Sequence, residues 1–117
     1  MDMKYKCLVF DHDDTVVNST ATIHWPCFQE YLDKYRPGRV CGLEHYFIQN
    51  FDPGFLEMCR RWYQFTDDEL KQEYMGWMDY VRSHIPDPFP GIGDVIRRQK
   101  EEGGLVCVVS HSSAENI

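Results

Sequence analysis

The stretch Cys7-Leu-Val-Phe-Asp-His-Asp-Asp-Thr15 decides how this chain folds. Its apolar run is short and bounded by charge, which predicts a β-strand over residues 6–10, buried on both faces. A second apolar run, Leu105-Val-Cys-Val-Val109, leads directly into Ser110. Open α/β folds place their sites at the carboxyl ends of neighbouring parallel strands. The sequence therefore predicts a site formed by the polar residues that follow these two strands.

The bulk composition is that of a globular domain with an acidic surface. The 117 residues are 43% hydrophobic and 15% aromatic, which is enough for a core and argues against disorder. The formal net charge is −7, so neither nucleic acid nor a membrane is a predicted partner. The first apolar run is too short for a signal peptide, and no stretch approaches the length of a membrane span.

The five cysteines predict a reduced, cytoplasmic protein. Their number is odd, they are widely spaced, and none forms a pair with the spacing of a zinc site. Cys7 and Cys107 lie inside the two apolar runs and are predicted to pack there as small hydrophobic residues.

An all-helical block is predicted between the two strands. Its clearest signal is the capping box Thr66-Asp-Asp-Glu69, which opens a helix through about Ser83. The spacing of apolar residues predicts one buried face for this helix, formed by Leu70, Tyr74, Trp77, Met78 and Val81. The Pro-rich joint Ile85–Gly91 ends the block. The further predicted helices cover residues 19–35, 42–51, 54–64 and, after the joint, 92–102. Ser19 or Thr20 is the candidate cap of the first of these, and Gly103-Gly104 is the predicted end of the last.

This order of elements predicts an α/β fold with an insertion. A Rossmann-like parallel-sheet core, only partial in this chain, is assigned to residues 1–18 and 86–117. An inserted α-helical cap is assigned to residues 19–85, entered near Val16–Ser19 and left near Ile85–Gly91.

Asp11 and Asp13 are the candidate chemical groups. Residues two apart in an extended segment point the same way, so both carboxylates can face one site. Like charges this close require a cation or a shared proton, and oxygen ligands suit Mg²⁺. One carboxylate can act as a nucleophile that forms an acyl-phosphate, while the other acts as general acid and base. Ser110 and the backbone N–H groups after it can bind a phosphate.

Simpler interpretations compete with this one. An acidic cluster in a turn is usually a solvated loop, and His12 and His111 are most simply loop residues. Asp11-x-Asp13-x-Thr15 also begins like a calcium-binding loop. However, that loop requires Gly at its sixth position and Glu at its twelfth, where this chain has Val16 and Thr22. The two strand–polar elements separated by a helical insert are more specific than either element alone.

The whole pattern resembles the amino-terminal half of a haloacid-dehalogenase-superfamily phosphatase with a helical cap, such as phosphoglycolate phosphatases and β-phosphoglucomutases. The family's first motif, a hydrophobic strand followed by Asp-x-Asp-x-Thr, matches Asp11, Asp13 and Thr15. Its second motif, a hydrophobic strand followed by Ser or Thr, matches Ser110. The joint Phe89-Pro-Gly91 resembles the segment that precedes the second strand.

The resemblance implies a role for each matching residue. Asp11 is the implied nucleophile and Asp13 the implied general acid and base. Asp11, through its carboxylate, and Asp13, through its backbone carbonyl, are the implied Mg²⁺ ligands, and Ser110 binds the transferring phosphoryl group. The implied substrate is a small phosphorylated metabolite, selected by the cap. The predicted substrate-binding residues are Thr15, Ser110, His12 and His111.

Two departures from the family pattern leave alternatives open. Many relatives carry Gly where this chain has Asp14. The family's third motif, a Lys or Arg, and its fourth, an acidic pair, are expected many residues after Ser110, whereas the sequence ends at Ile117. We therefore expect the activity to require a missing carboxyl-terminal half. A phosphomutase of the same superfamily and a catalytically inactive truncated fragment are the alternatives to a phosphatase.

Overall fold

The computed structural model describes residues 4–110 and 117, which fall into two compact units. The sheet unit comprises residues 1–19 and 86–117, and the helical unit comprises residues 20–85. Ser19, which the sequence interpretation assigned to the cap, groups with the sheet unit. The assignment of these units as catalytic core and cap stays a prediction.

The elements follow the order expected from the sequence, with small shifts at their ends. The first predicted helix is divided into a short π-helical segment and an α-helix that starts at Trp25. Pro26 lies in the first turn of that helix, where its missing N–H removes no helical hydrogen bond. In chain order the elements are β1 (Cys7–Asp11), the π-helical segment (Thr20–His24), α1 (Trp25–Tyr35), α2 (Leu43–Phe51), α3 (Phe55–Tyr63), α4 (Asp67–Ser83), α5 (Ile92–Glu101) and β2 (Leu105–Val109).

The predicted parallel strand pair is confirmed. β1 and β2 run parallel, in a register that places Cys7 beside Leu105 and Asp11 beside Val109. Ser110 is thus the residue immediately after the partner of Asp11. Together with the helices, this pair is a partial α/β fold with a helical insertion, as the sequence predicted.

One face of this sheet is uncovered, contrary to the prediction that the first strand is buried on both faces. Val9, Leu105 and Val109 are each more than 60% exposed. The cysteines Cys7 and Cys107 are also exposed, so the prediction that they pack as core residues is wrong for this chain. The reason is that side chains alternate between the two faces of a strand, and α5 packs against β2 while this face has no covering element among residues 4–110 and 117.

Gln99 of α5 fixes the helix to the sheet. Its buried side-chain amide donates to the backbone oxygen of Tyr5 at 2.9 Å and to that of Leu105 at 3.4 Å. These carbonyls lie just before β1 and at the start of β2. One side chain therefore holds together the entrances of both strands.

The helical unit has a conventional apolar core. Phe28, Leu32 and Met58 are at most 1% exposed and come from α1 and α3. The capping box at the start of α4 is confirmed, because Thr66 Oγ1 accepts from Glu69 N and Glu69 Oε1 accepts from Thr66 N. Within the described part of the chain, no helix has both the length and the apolar character needed to span a membrane.

Candidate active site

The segment after β1 turns sharply around one backbone carbonyl. The oxygen of His12 accepts hydrogen bonds from the backbone N–H groups of Thr15 (3.4 Å), Val16 (3.0 Å) and Val17 (3.3 Å). Asp14 N donates to Val17 O at 2.9 Å, and Asp14 has a φ of 60°. A positive φ favours glycine, and aspartate is one of the few other residues that adopt it readily. The turn therefore holds residue 14 in a conformation that glycine favours and aspartate accepts.

Asp11 ends β1 with an exposed and oriented carboxylate. The backbone N–H of His12 donates to Asp11 Oδ1 at 2.9 Å. For the second oxygen, Oδ2, no hydrogen-bond partner is found among residues 4–110 and 117. The carboxylate is therefore held by one oxygen and presents the other, as a nucleophile or a metal ligand requires.

Asp13 and Thr15 lie within the turn rather than in an extended continuation of the strand. β1 ends at Asp11, and Asp13 is half-buried beside Val17 in a single bridge between their backbones. The argument from alternation along an extended segment therefore does not describe how these residues are arranged. Thr15, the last residue of the first motif, is exposed within the turn.

The structure brings the two strand ends together, as the sequence predicted. Ser110 follows Val109, the register partner of Asp11, and neighbouring strands lie about 5 Å apart. Ser110 is half-buried. The first and second motifs therefore meet at one edge of the sheet, although about a hundred residues separate them in the chain.

Of the two histidines predicted to bind substrate, His12 is described by the structure and His111 is not. His12 is only 8% exposed, and its backbone N–H and carbonyl organise the turn. His111 lies outside the described residues. Direct binding of substrate by either imidazole stays a prediction.

The two joints that lead into and out of the helical unit pair with each other through their backbones next to the turn. The sequence analysis did not predict this pairing. Asn18 N donates to Asp87 O at 2.9 Å, and Phe89 N donates to Val16 O at 3.0 Å. Val17 lies opposite Pro88 between these bonds. We call residues 16–18 and 87–89 the clasp. Local sequence gave no signal for it because its halves lie about seventy residues apart.

Ser19, next to the clasp, does not cap the following helix as the sequence suggested. It is 2% exposed, and its Oγ has no hydrogen-bond partner among the described residues. The clasp thus anchors both connections to the helical unit on the sheet unit.

The oxygen-rich donor set fits Mg²⁺ in kind. The predicted ligands are the exposed Asp11 carboxylate and the backbone carbonyl of Asp13, both hard oxygen donors. Among residues 4–110 and 117, no group of three or more His, Cys, Asp or Glu side chains is arranged to hold a metal ion. The two predicted ligands therefore agree with Mg²⁺ in chemical type, and their role as ligands stays a prediction.

Solved structures of similar fold include three proteins with names from phosphatase and sugar-phosphate chemistry. A predicted phosphoglycolate phosphatase from Haemophilus somnus superposes with a TM-score of 0.71 at 16% identity, covering 98% of this chain and 55% of that one. A candidate phosphatase from Clostridium difficile gives 0.67 at 18% identity, covering 93% and 50%. A mutant of CbbY from Rhodobacter sphaeroides, solved with xylulose-1,5-bisphosphate, gives 0.63 at 19% identity, covering 96% and 53%.

Comparison by sequence adds no closer relationship, since no family model and no curated protein matches the chain. The chain spans about half the length of the solved structures it matches. Nearly all of it takes part in the superpositions. The chain therefore has the fold of these solved structures over about half of their length.

Proposed function

We propose that this chain carries the nucleophile of a Mg²⁺-dependent phosphatase that hydrolyses a small phosphate monoester through an aspartyl-phosphate. The observation that carries the proposal is the Asp11 carboxylate. It lies at the end of β1, beside the end of β2, where Oδ1 accepts from His12 N–H and Oδ2 has no hydrogen-bond partner among residues 4–110 and 117. Likeness to solved phosphatases in fold supports the same assignment.

The proposed reaction has two displacement steps. Asp11 Oδ2 attacks phosphorus, and the bond from phosphorus to the ester oxygen breaks as Asp13, in its protonated form, gives its proton to that oxygen. Water then attacks the aspartyl-phosphate, Asp13 takes a proton from it, and the bond between phosphorus and Oδ2 breaks. The products are the alcohol, inorganic phosphate and the regenerated Asp11 carboxylate. Asp13 thus acts as a general acid in the first step and as a general base in the second.

Binding of the phosphoryl group falls to the residues around the two strand ends. The Ser110 hydroxyl can donate to a phosphoryl oxygen from the neighbouring strand. Thr15, exposed on the turn, is placed on the same segment as the two aspartates. Mg²⁺, held by the Asp11 carboxylate and the Asp13 carbonyl, would neutralise charge on the phosphoryl oxygens.

Cap movement, if the helical unit acts as a cap, is confined by the clasp to short segments. Residues 16–18 and 87–89 are hydrogen bonded to each other within the sheet unit. The proposed hinges are therefore the peptides joining Ser19 to Thr20 and Ile85 to Pro86, where the chain passes from one unit to the other. Closure over a phosphorylated metabolite would exclude water from the site.

We also propose that activity requires further chain to complete the sheet unit. The exposed apolar face, formed by Val9, Leu105 and Val109, needs a covering layer because parallel sheets are normally buried on both faces. The resemblance also places a Lys and an acidic pair in that additional part. We expect the 117 residues alone to show no phosphatase activity above background.

The test compares two matched substitutions in the protein completed by its carboxyl-terminal half, with p-nitrophenyl phosphate and Mg²⁺. Asp11→Asn should abolish turnover, because an amide is neither a nucleophile nor a good metal ligand. Asp13→Asn should lower kcat by roughly 10²- to 10⁴-fold. Asp14→Asn is the control, since it removes the same charge from an exposed residue and asparagine also accepts a positive φ.

Three outcomes would contradict the proposal. The first is near-normal turnover by Asp11→Asn, and the second is an equal loss in the Asp14→Asn control. The third is full activity after exhaustive removal of divalent metal with EDTA, because the proposed site uses Mg²⁺. Turnover by the 117-residue chain alone, lost in Asp11→Asn, would keep the nucleophile but disprove the need for further chain.

A further inference from the structure

Glu73 is a buried carboxyl group in the interior of the helical unit, far along the chain from the candidate active site. It belongs to α4 and is only 4% exposed. No hydrogen bond or ion pair to its side chain is found among residues 4–110 and 117. A carboxyl group in such a position is stable only in its neutral form, because burial of an unpaired charge is costly.

The groups around Glu73 offer no compensating positive charge. Burial raises the pKa of Glu73 to about 7, and burial is the whole of that effect. Its ionised form in turn raises the pKa values of thiol and phenol groups on three other helices. The titratable groups that interact electrostatically with it are Cys27, Tyr31 and Tyr35 of α1, Tyr46 of α2 and Cys59 of α3.

Glu73 also lies at a close contact between two helices. α1 packs against α4, and the Tyr31 phenol occupies the space that a side chain at Gly76 would take, one turn beyond Glu73. On the same side of α4, Trp77 Nε1 donates to His24 Nδ1 of the π-helical segment at 2.9 Å. Packing this close leaves little room for the water that an ionised carboxylate would require.

We propose that Glu73 makes the helical unit a proton-controlled element, in which the neutral carboxyl permits close packing of α1 on α4 and the ionised carboxylate loosens it. This inference is independent of the proposed phosphatase activity. It concerns the unit assigned as the cap, whose packing is separate from the chemistry at the strand ends.

The direction of the pH effect follows from linkage. A carboxyl group whose pKa is higher in the folded than in the unfolded protein contributes stability that is fully present below the unfolded value. That stability is lost as pH rises toward the folded value. For Glu73 the two values are 4.5 and about 7. The equilibrium constant for folding should therefore fall by up to about tenfold for each pH unit between them and level off above pH 7.

The test measures urea unfolding of the 117-residue chain between about pH 4.5 and pH 8, followed by helical circular dichroism. Glu73→Gln keeps the shape of the neutral side chain and cannot ionise. Glu30→Gln is the control, because it removes an equal charge from an exposed position on α1. Glu73→Met tests the same point with an apolar side chain if the amide is poorly tolerated.

We expect the folding constant of Glu73→Gln to gain on that of the wild type with rising pH, by up to about tenfold per unit, while Glu30→Gln follows the wild type. Parallel pH profiles for wild type and both Glu73 variants would overturn the proposal. Carboxyl ¹³C titration of the wild type provides a readout that does not depend on any variant folding. A Glu73 signal with a midpoint near 7 is expected, and titration of every glutamate below about pH 5 would overturn the proposal.

Discussion

The two units of this protein differ in how they use apolar side chains. In the helical unit, Phe28 and Met58 are completely buried. In the sheet unit, Val9 and Leu105 are both 63% exposed although they belong to the central elements. The comparison teaches that the unit without the candidate catalytic groups forms its own core, whereas the unit that holds Asp11 and Ser110 leaves a sheet face uncovered.

The two units also differ in the number of hydrogen bonds made by the polar side chain that connects their elements. In the helical unit, Arg36 makes five hydrogen bonds, three to backbone oxygens and two, at 2.8 Å each, to the Glu69 carboxylate. These bonds lower the pKa of Glu69 to about 2. The stability that the pair contributes is therefore present above the usual carboxyl range and lost as pH falls toward 2. In the sheet unit, Gln99 provides the comparable connection with two donated bonds.

The largest expected effect comes from truncating one apolar residue in each unit. Phe28→Ala should destabilise the helical unit by about 3–5 kcal/mol, because it leaves a cavity at the centre of the aromatic cluster. Val9→Ala should cost less than about 1 kcal/mol, because its side chain is already exposed. Urea unfolding of both variants measures the two changes in the free energy of unfolding. Equal decreases would contradict the difference between the units, since they would show that the sheet face is covered in solution.

The next effect tests how closely α1 and α4 pack. Alanine normally stabilises a helix by about 1 kcal/mol relative to glycine, but a Cβ at Gly76 would overlap the Tyr31 phenol. Gly76→Ala should therefore destabilise the helical unit by about 1–3 kcal/mol. In a Tyr31→Ala background the same change should become stabilising. A thermal-unfolding double-mutant cycle measures this reversal, and a Gly76→Ala variant more stable than wild type would contradict the packing described.

The smallest effect uses the two non-glycine residues that have a positive φ in the described part of the chain, one in each unit. Gln64, at the end of α3, has a φ of 53°, and Asp14 has 60°. Relief of strain, partly offset by the greater freedom of glycine in the unfolded chain, should make Gln64→Gly more stable by about 0.5–1 kcal/mol. Gln64→Ala is the control that keeps the strain. Asp14→Gly should leave the stability of the helical unit unchanged, as measured by its unfolding transition. An increase in that stability equal to that of Gln64→Gly would show that the two units unfold together.

Element positions were largely predictable because their signals are local. The capping box fixed the start of α4 at Asp67, and Gly103, with a φ of 82°, follows α5 as the sequence suggested. The pattern of the two apolar runs also predicted the parallel pair and the meeting of Asp11 with Ser110. The roles assigned to the site residues stay predictions, and His111 lies outside the described residues.

Burial was less predictable because it depends on which other element covers a face. Tyr74 was expected on the buried face of α4 but is 57% exposed, whereas Glu73, beside it in sequence, is buried. A periodicity that counts only apolar residues misses a buried carboxyl. The one available signal was spacing, since Glu73 lies three residues after Leu70 and four before Trp77.

The sequence by itself determined the alternation of strand, helical insertion, helix and strand, together with the chemical character of each strand end. Hydrophobic runs, caps and proline act within a few residues, so these features need no knowledge of distant contacts. Only the tertiary structure decided that residues 16–18 pair with 87–89, that Oδ1 of Asp11 accepts a hydrogen bond from His12 N–H, and that Glu73 is buried. Each of these depends on groups brought together from distant parts of the chain or on a turn that local propensity leaves open.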